Sequence, residues 1–277
     1  MTTQLLDASS LFDVRGRSVL VTGAASGIGY GYAEVMAANG ALVTLSDADA
    51  DGLDAAVNRL RALSPDVTGV VADVLQPDTL RAAVDDVLAR HGRVDVLFAN
   101  AGISAGPGFL RGDGTRNEAA ALEHLSLDTF DRAVSVNLRG ALATIQAVVP
   151  AMKARRSGRI VVTTTVSLMR TETLVSTLYV ASKAALGQLV RQAALELAAH
   201  GILVNGIAPG PTVTNIGGGR LQDAAAREPF ERAIPLHRLA TPADLQGAAL
   251  FLASQASAYV TGTQIVVDGG GCLGAAD

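Results

Sequence analysis

The sequence is short of several residue types, and each shortage excludes a class of protein. Its 277 residues include one cysteine, Cys272, which excludes an internal disulfide and a cysteine-based metal cluster. Four histidines are spread through the chain without the spacing of metal ligands, so we expect no metal site. Lys and Arg number 22 against 26 Asp and Glu, and this weak negative charge argues against nucleic acid or an anionic membrane as the main partner.

Long apolar runs are also missing. The start of the chain, residues 1–17, lacks a basic stretch followed by an apolar one, so it does not resemble a secretory signal. The longest stretch without charge, between Asp244 and Asp268, is interrupted by glutamines, serines and glycines and does not suit a membrane span. We therefore expect a soluble, cytoplasmic protein. Hydrophobic residues at 49% supply ample material for a core.

Short β-branched runs alternate with longer helical patterns along the chain. The predicted strands cover 18–22, 41–46, 67–72, 94–99, 160–165, 202–207 and 264–267, and the predicted helices 27–39, 49–62, 77–91, 127–154 and 179–200. This alternation predicts the α/β class: about seven parallel strands, doubly wound, with helices on both faces. No repeat or low-complexity linker divides the chain, so we predict one domain over 1–277, with an N-terminal tail at 1–15.

A glycine-rich segment, Thr22 to Gly29, connects the first strand to the first helix. Its glycines allow a tight turn and a close approach of the backbone to a pyrophosphate, which the helix N-terminus then attracts. The predicted cofactor contacts in it are Gly23, Ser26, Gly27, Ile28 and Gly29. A glycine turn alone is a weak signal, but a strand before it and a helix after it favour nucleotide binding.

Asp47 ends the second strand, 18 positions after Gly29. A carboxylate there can accept hydrogen bonds from both adenosine ribose hydroxyls and would repel a 2′-phosphate. No Lys or Arg lies between Arg17 and Arg59, so a 2′-phosphate finds no local partner and NAD is favoured over NADP. The alternative is a surface turn acid, since Asp49 and Asp51 are close by.

Tyr179 and Lys183 are four positions apart and share one face of a predicted helix. An ammonium at this distance favours the phenolate and lowers the tyrosine pKa, which makes the tyrosine a usable acid or base near neutral pH. By itself such a pair is common on helix surfaces. Its place after the fifth strand, downstream of a nucleotide turn, favours catalysis.

With these motifs the sequence resembles the short-chain dehydrogenase/reductase (SDR) family over nearly its whole length, and the resemblance implies a Rossmann-type sheet. Further motifs match in order. They are the adenine-contacting pair Asp73 and Val74, the Asn100-Ala101-Gly102 motif, the helix asparagine Asn137, and the nicotinamide-side residues Pro209, Gly210, Thr212 and Thr214.

The resemblance implies a function and roles. The protein would be an NAD-dependent oxidoreductase that moves hydride between nicotinamide and a secondary alcohol or ketone, as a homotetramer. Tyr179 would be the acid/base, Lys183 would hold the nicotinamide ribose and lower the tyrosine pKa, and Asn137 would support a water in a proton relay. Two alternatives stay open: an NADP-dependent carbonyl reductase, and a nucleotide-sensing protein that has lost turnover.

The catalytic hydroxyl departs from the family pattern. The family has a serine 13 positions before the tyrosine, and Val166 stands there. Aligning from the fifth strand places Thr165 at the serine position, and its hydroxyl has the same donor and acceptor capacity. Ser167 is the second candidate.

Two segments lack a periodic pattern. Residues 104–125 lengthen the connection between Gly102 and Asn137 to 35 positions, more than is usual in the family. This insertion is either a surface elaboration or a loop that shapes the substrate mouth or a subunit contact. Residues 211–238 resemble the family's substrate lid, and Gly217 to Gly219 would be its flexible part.

Overall fold

The structure is a computed structural model and describes residues 7–274. Within that range seven parallel strands form one sheet in the order β3-β2-β1-β4-β5-β6-β7. The strands are β1 Ser18–Thr22, β2 Leu42–Asp47, β3 Val67–Val71, β4 Val96–Ala99, β5 Gly158–Thr163, β6 Ile202–Pro209 and β7 Gln264–Val267. The helices are α1 Ala8–Leu11, α2 Gly27–Ala38, α3 Ala50–Arg61, α4 Pro77–His91, α5 Leu127–Val134, α6 Ala141–Arg155, α7 Thr177–Ala198, α8 Ala224–Ala233 and α9 Gln246–Ala253. The predicted Rossmann-type sheet is confirmed.

The strand order reverses at β1, which pairs with β2 on one side and with β4 on the other. The connections after β1 and β4 therefore leave the sheet in opposite directions and open a crevice at the carboxyl ends of these strands. Open parallel sheets bind their ligands in such a crevice. This topology places the predicted cofactor motifs at one edge of the sheet.

The core consists of two apolar layers, one on each face of the sheet. Alternate residues of a strand point to opposite faces, so Val19 and Val21 belong to the layer under α2, α3 and α9, whereas Leu20 belongs to the layer under α4, α6 and α7. β1, β4 and β5 are buried along their whole length, because helices cover both faces. Rigid central strands thus support the crevice.

The predicted helix over 127–154 is divided in the structure. A π-helical turn, Ser135–Gly140, separates α5 from α6. The apolar period continues through this turn, which is why the sequence predicted one helix. Such wide turns occur frequently at functional sites, and this one carries Asn137.

Three further predictions need correction. β5 ends at Thr163, so Thr165 lies beyond the strand and forms the N-cap of a short 3₁₀ helix. The predicted lid contains α8, which the sequence did not indicate because Pro229 lies inside it. In the predicted N-terminal tail, Ala8–Leu11 forms α1, and residues 1–6 lie outside the described residues.

The insertion is ordered by backbone contacts. Its first part bridges Pro107 to Val175, and a narrow antiparallel bridge joins Leu110 to Arg116. A Cβ atom on Gly112 would lie 2.5 Å from Cγ of Pro229, so the insertion packs directly on the lid helix α8. The insertion and the lid therefore form one wall beside the crevice.

Candidate active site

The glycine turn is shaped so that only glycine fits at its key positions. Gly23 and Gly27 have φ values of +66° and +58°, in the left-handed region that favours glycine. A Cβ on Gly23 would lie 2.7 Å from Cα of Ala101, and one on Gly29 would collide with the Gly23 carbonyl oxygen. Ser26 is the N-cap of α2. Within the described residues its side chain accepts no hydrogen bond from an N–H group of that helix. The first turn of α2 can therefore offer its N–H groups to a phosphate.

Asn100 joins this turn to the neighbouring strands. Its Nδ2 donates to the carbonyl oxygens of Thr22 and Gly23 at 3.1 and 3.0 Å. Its Oδ1 accepts a hydrogen bond of 2.9 Å from the Thr163 hydroxyl at the end of β5. One amide thus connects the glycine turn, β4 and β5. Ala101 and Gly102, which follow it, line the cleft.

Asp47 lies at the far end of the cleft, where β2 ends. Its Oδ2 accepts a 3.0 Å hydrogen bond from the N–H of Ala25, and its Oδ1 accepts one of 3.1 Å from Asp49. Each carboxylate oxygen keeps a further lone pair for a ribose hydroxyl. Asp73 and Val74 line the cleft nearby. This end of the cleft therefore presents carboxylate acceptors.

The two candidate hydroxyls, Thr165 and Ser167, lie beside each other. Their side-chain oxygens are 3.1 Å apart, and the N–H of Ser167 donates to Thr165 Oγ1 at 3.3 Å. Both line the cleft together with Tyr179. Of the two, Thr165 is the one whose hydroxyl acts to lower the tyrosine pKa.

The cleft walls shift the pKa values of both members of the helix pair. Desolvation raises the pKa of Tyr179 to about 12, against the smaller opposing effect of Thr165. Desolvation lowers the pKa of Lys183 to about 8, and its Nζ donates a 2.8 Å hydrogen bond to the carbonyl oxygen of Thr163. The shift of the Tyr179 pKa is therefore opposite to the one predicted from the spacing, because desolvation dominates and Lys183 is directed to the strand.

Asn137 is fully buried and lies behind the cleft rather than in it. Its Oδ1 accepts from the N–H of Ile103 at 2.8 Å, while Nδ2 donates to Ile103 O and to Ser182 Oγ, both at 3.1 Å. A Cβ on Gly102 would lie 3.1 Å from Asn137 Oδ1 and 3.3 Å from Lys183 Nζ. Asn137 thus positions the backbone that forms the floor next to Lys183.

The nicotinamide-side residues begin where β6 ends. Pro209 and Gly210 line the cleft, and the Thr212 hydroxyl donates to the Gly210 carbonyl at 2.9 Å. A Cβ on Gly27 would lie 3.3 Å from the side chain of Thr214, so the start of the lid lies over the glycine turn. The residues from Asp47 to Tyr179 therefore fit an extended dinucleotide along one continuous cleft.

This cleft has a volume of about 1470 Å³ and contains nearly all of the predicted site residues. Gly29 and Asn137 are the two that do not line it: Gly29 packs beneath the glycine turn, and Asn137 lies behind the floor. Within residues 7–274 we find no helix both long and apolar enough to cross a membrane, and no group of His, Cys, Asp or Glu that could hold a metal ion.

Comparisons with known proteins place the chain in a family. A family model described as Enoyl-(Acyl carrier protein) reductase matches residues 23–271. Oxidoreductase UcpA of Escherichia coli O157:H7 is 35% identical, with 93% of this chain and 95% of the relative covered. L-rhamnose 1-dehydrogenase (NAD(P)(+)) of Sphingomonas sp. is 36% identical, with 93% and 96% covered. A solved short-chain type dehydrogenase/reductase from Mycobacterium marinum is 33% identical with a TM-score of 0.84, over 95% of this chain and 98% of that one.

The chain belongs to the SDR family. SDR proteins are oxidoreductases of small molecules that use nicotinamide cofactors, and the named relatives of this chain include dehydrogenases that act on CH–OH groups. The cleft described above contains the motifs that resemble those of the SDR family.

The substrate end of this SDR cleft is formed by residues that the sequence did not single out. Its walls are apolar and consist of Val166, Leu174, Val175, Ile216, Leu221 and Phe230. Glu172 is the carboxylate on this side, and its side chain is only 8% exposed because Arg170 pairs with it at 3.1 Å. These residues come from two separate segments, between β5 and α7 and between β6 and α9, and share no motif, so only the fold brings them together.

Proposed function

We propose that the protein is an NAD-dependent oxidoreductase that transfers a hydride between nicotinamide and a secondary alcohol or ketone. The observation that carries this proposal is the placement of Tyr179 and Thr165 in the same cleft as the glycine turn. The glycine turn would hold the phosphates of the cofactor, and the hydroxyls of Tyr179 and Thr165 would bind a substrate oxygen in the same cleft.

The preference for NAD rests on the charges at the adenosine end. Asp47, Ala48 and Asp73 line this end, and the cations that line the cleft, Arg132, Lys183 and Arg220, belong to other parts of it. A 2′-phosphate would therefore face carboxylates without a compensating cation. The NADP-dependent alternative requires a basic residue that this end does not provide.

Proton transfer in the proposed reaction is carried out by this chain's own side chains. In the direction of reduction Tyr179 Oη donates its proton to the carbonyl oxygen as charge develops there, and in oxidation it takes the alcohol proton. The Thr165 hydroxyl donates a hydrogen bond to the same substrate oxygen. Lys183, with a pKa near 8, can hold or release a proton close to neutral pH. The nicotinamide supplies or accepts the hydride.

The test is to separate binding from turnover. Because the chain contains no tryptophan, NADH fluorescence can be titrated without indole background. Tyr179→Phe should abolish turnover of secondary alcohols and ketones and leave NADH binding nearly intact. The matched control is Tyr259→Phe, since Tyr259 is fully exposed outside the cleft.

Two results would contradict the proposal. General acid–base catalysis contributes about 10²- to 10⁴-fold, so retention of more than about a tenth of the wild-type kcat in Tyr179→Phe removes the tyrosine from its role. NADH binding without turnover of any alcohol or ketone would favour the nucleotide-sensing alternative.

Domain organisation, assembly and location are part of the same proposal. We expect one catalytic domain over 1–277, a homotetramer, and a cytoplasmic location. Light scattering coupled to size exclusion measures the mass of the assembly, and a mass other than four chains of 28.2 kDa would contradict the tetramer.

A further inference from the structure

A second, smaller cavity opens beside the active-site cleft, between the insertion and the lid. Its volume is about 230 Å³. It shares four lining residues with the cleft, Pro107, Leu174, Arg220 and Phe230, so the two spaces adjoin. We call this cavity the side pocket.

The side pocket is lined by cations and apolar groups. Two guanidinium groups face it, from Arg111 in the insertion and Arg220 in the lid, and no lining residue is acidic. Arg220 lies over the ring of Phe230, with 5.9 Å from Cζ to the ring centroid, and within residues 7–274 it forms no ion pair. Arg111 donates to the Arg116 carbonyl oxygen. Asp113, whose pKa the charge of Arg111 helps to lower, accepts hydrogen bonds from Thr115.

Other arginines of the lid are already neutralised. Arg227 faces Glu231 at 3.8 Å, and Arg232 faces Glu228 at 4.0 Å. Neither lines the cleft or the side pocket. Among the residues that the structure describes, the positive charge of Arg220 has no ion-pair partner.

The acids of the cleft do not balance this charge either. Glu172 is paired with Arg170. Asp128 and Arg132, one turn apart on α5, bring one charge of each sign to the cleft. Asp223 is occupied as the N-cap of α8, where it accepts from the N–H of Ala225.

We propose that the side pocket binds an anionic group, a carboxylate or a phosphate, on the substrate whose carbinol or carbonyl lies at Tyr179. This inference rests on the proposed function and names its substrate class. A guanidinium binds either anion through paired N–H donors. The apolar side chains of Leu110, Pro229 and Phe230 fit a hydrocarbon segment next to the charged end. The insertion then contributes to substrate selection.

The experiment compares ketones that differ only in charge. The first pair is 4-oxopentanoate with its methyl ester, the second is 6-oxoheptanoate with its methyl ester, and the third is hydroxyacetone phosphate with hydroxyacetone. We expect the charged member of at least one pair to have the higher kcat/KM with NADH. The carboxylate and phosphate arms distinguish the two anions.

Arg220→Ala is the diagnostic variant. It should raise the KM of the preferred charged ketone about tenfold, as expected for the loss of a charge-assisted hydrogen bond, and leave the uncharged partner unchanged. Arg232→Ala, an exposed lid arginine outside both cavities, is the matched control and should change neither KM. Added salt should raise the KM of the charged substrate only.

Several results would overturn the inference. The first is an equal kcat/KM for the charged and the uncharged member in every pair. The second is an equal rise in KM for both members in Arg220→Ala, and the third is a weaker NADH affinity in that variant. If no ketone is turned over, the proposed function fails separately. The side pocket is then tested by quenching of bound NADH fluorescence with 4-oxopentanoate, 6-oxoheptanoate and hydroxyacetone phosphate, and the absence of any quenching that depends on Arg220 overturns it.

Discussion

Replacing the hydroxyl of Thr165 tests which of two adjacent side chains acts on the substrate oxygen. Thr165→Val keeps the shape of the side chain and removes the hydroxyl that acts to lower the Tyr179 pKa. Thr165→Ser keeps the hydroxyl and removes a methyl group. Ser167→Ala removes the neighbouring hydroxyl, whose oxygen lies 3.1 Å from Thr165 Oγ1.

The structure predicts a clear order of effects. Losing a donor to the reacting oxygen costs about 10²- to 10³-fold in kcat, or about 2.7–4 kcal/mol, so Thr165→Val should show a loss of this size. The Ser167 hydroxyl forms a hydrogen bond with Thr165, and one neutral hydrogen bond is worth about 0.5–1.5 kcal/mol. The kcat of Ser167→Ala should therefore fall about two- to tenfold, and that of Thr165→Ser should stay close to the wild-type value.

The assay is steady-state kinetics with one alcohol and saturating NAD, with NADH affinity and the thermal midpoint measured in parallel. The loss in Thr165→Val should appear in kcat while NADH binding stays near the wild-type value. If Ser167→Ala loses more kcat than Thr165→Val, then Ser167 is the catalytic hydroxyl and the assignment is wrong. If Thr165→Ser is as inactive as Thr165→Val, the Thr165 hydroxyl is not what the reaction requires.

Three more outcomes are expected. Asp47→Ala combined with Ala48→Arg should shift the ratio of kcat/KM toward NADP; a wild type that uses both cofactors equally would contradict the role of Asp47. Burial lowers the pKa of Lys183 from 10.5 to about 8, so the unfolded chain binds the proton more tightly. The wild type should therefore gain stability relative to Lys183→Met between pH 8 and 10.5, by up to about 3 kcal/mol in urea unfolding, and a flat difference would refute the burial argument. Gly112→Ala should raise the substrate KM, because its Cβ would lie 2.5 Å from Cγ of Pro229. An unchanged KM would show that the contact between the insertion and the lid does not affect substrate binding.

Much of the fold could be predicted because the signals are local. The bounds of β1 and β7 and of α4 agree with the predicted ones, since a buried strand reads as a short β-branched run and Pro77 and Gly92 mark the ends of the helix. The glycine turn and the Tyr179 helix were found for the same reason, because their residues are close in sequence.

The missed features depend on contacts between distant segments. The π-helical turn carries Asn137, whose side chain forms hydrogen bonds with Ile103, 34 positions earlier, and no local pattern indicates this turn. The pKa of Tyr179 depends on how deeply the finished cleft surrounds it. The side pocket exists because the insertion packs on α8, and neither segment has a period that shows the contact.

The amide of Asn100 has a consequence for how binding energy is used. By donating to the carbonyl oxygens of Thr22 and Gly23 and accepting from Thr163, it fixes the geometry of the glycine turn and of the end of β5. A ligand then meets a preorganised surface and loses little of its affinity to ordering loops. Replacing Asn100 would therefore raise the entropy cost of ligand binding. This cost would arise both at the glycine turn and at the end of β5, although these lie on separate loops.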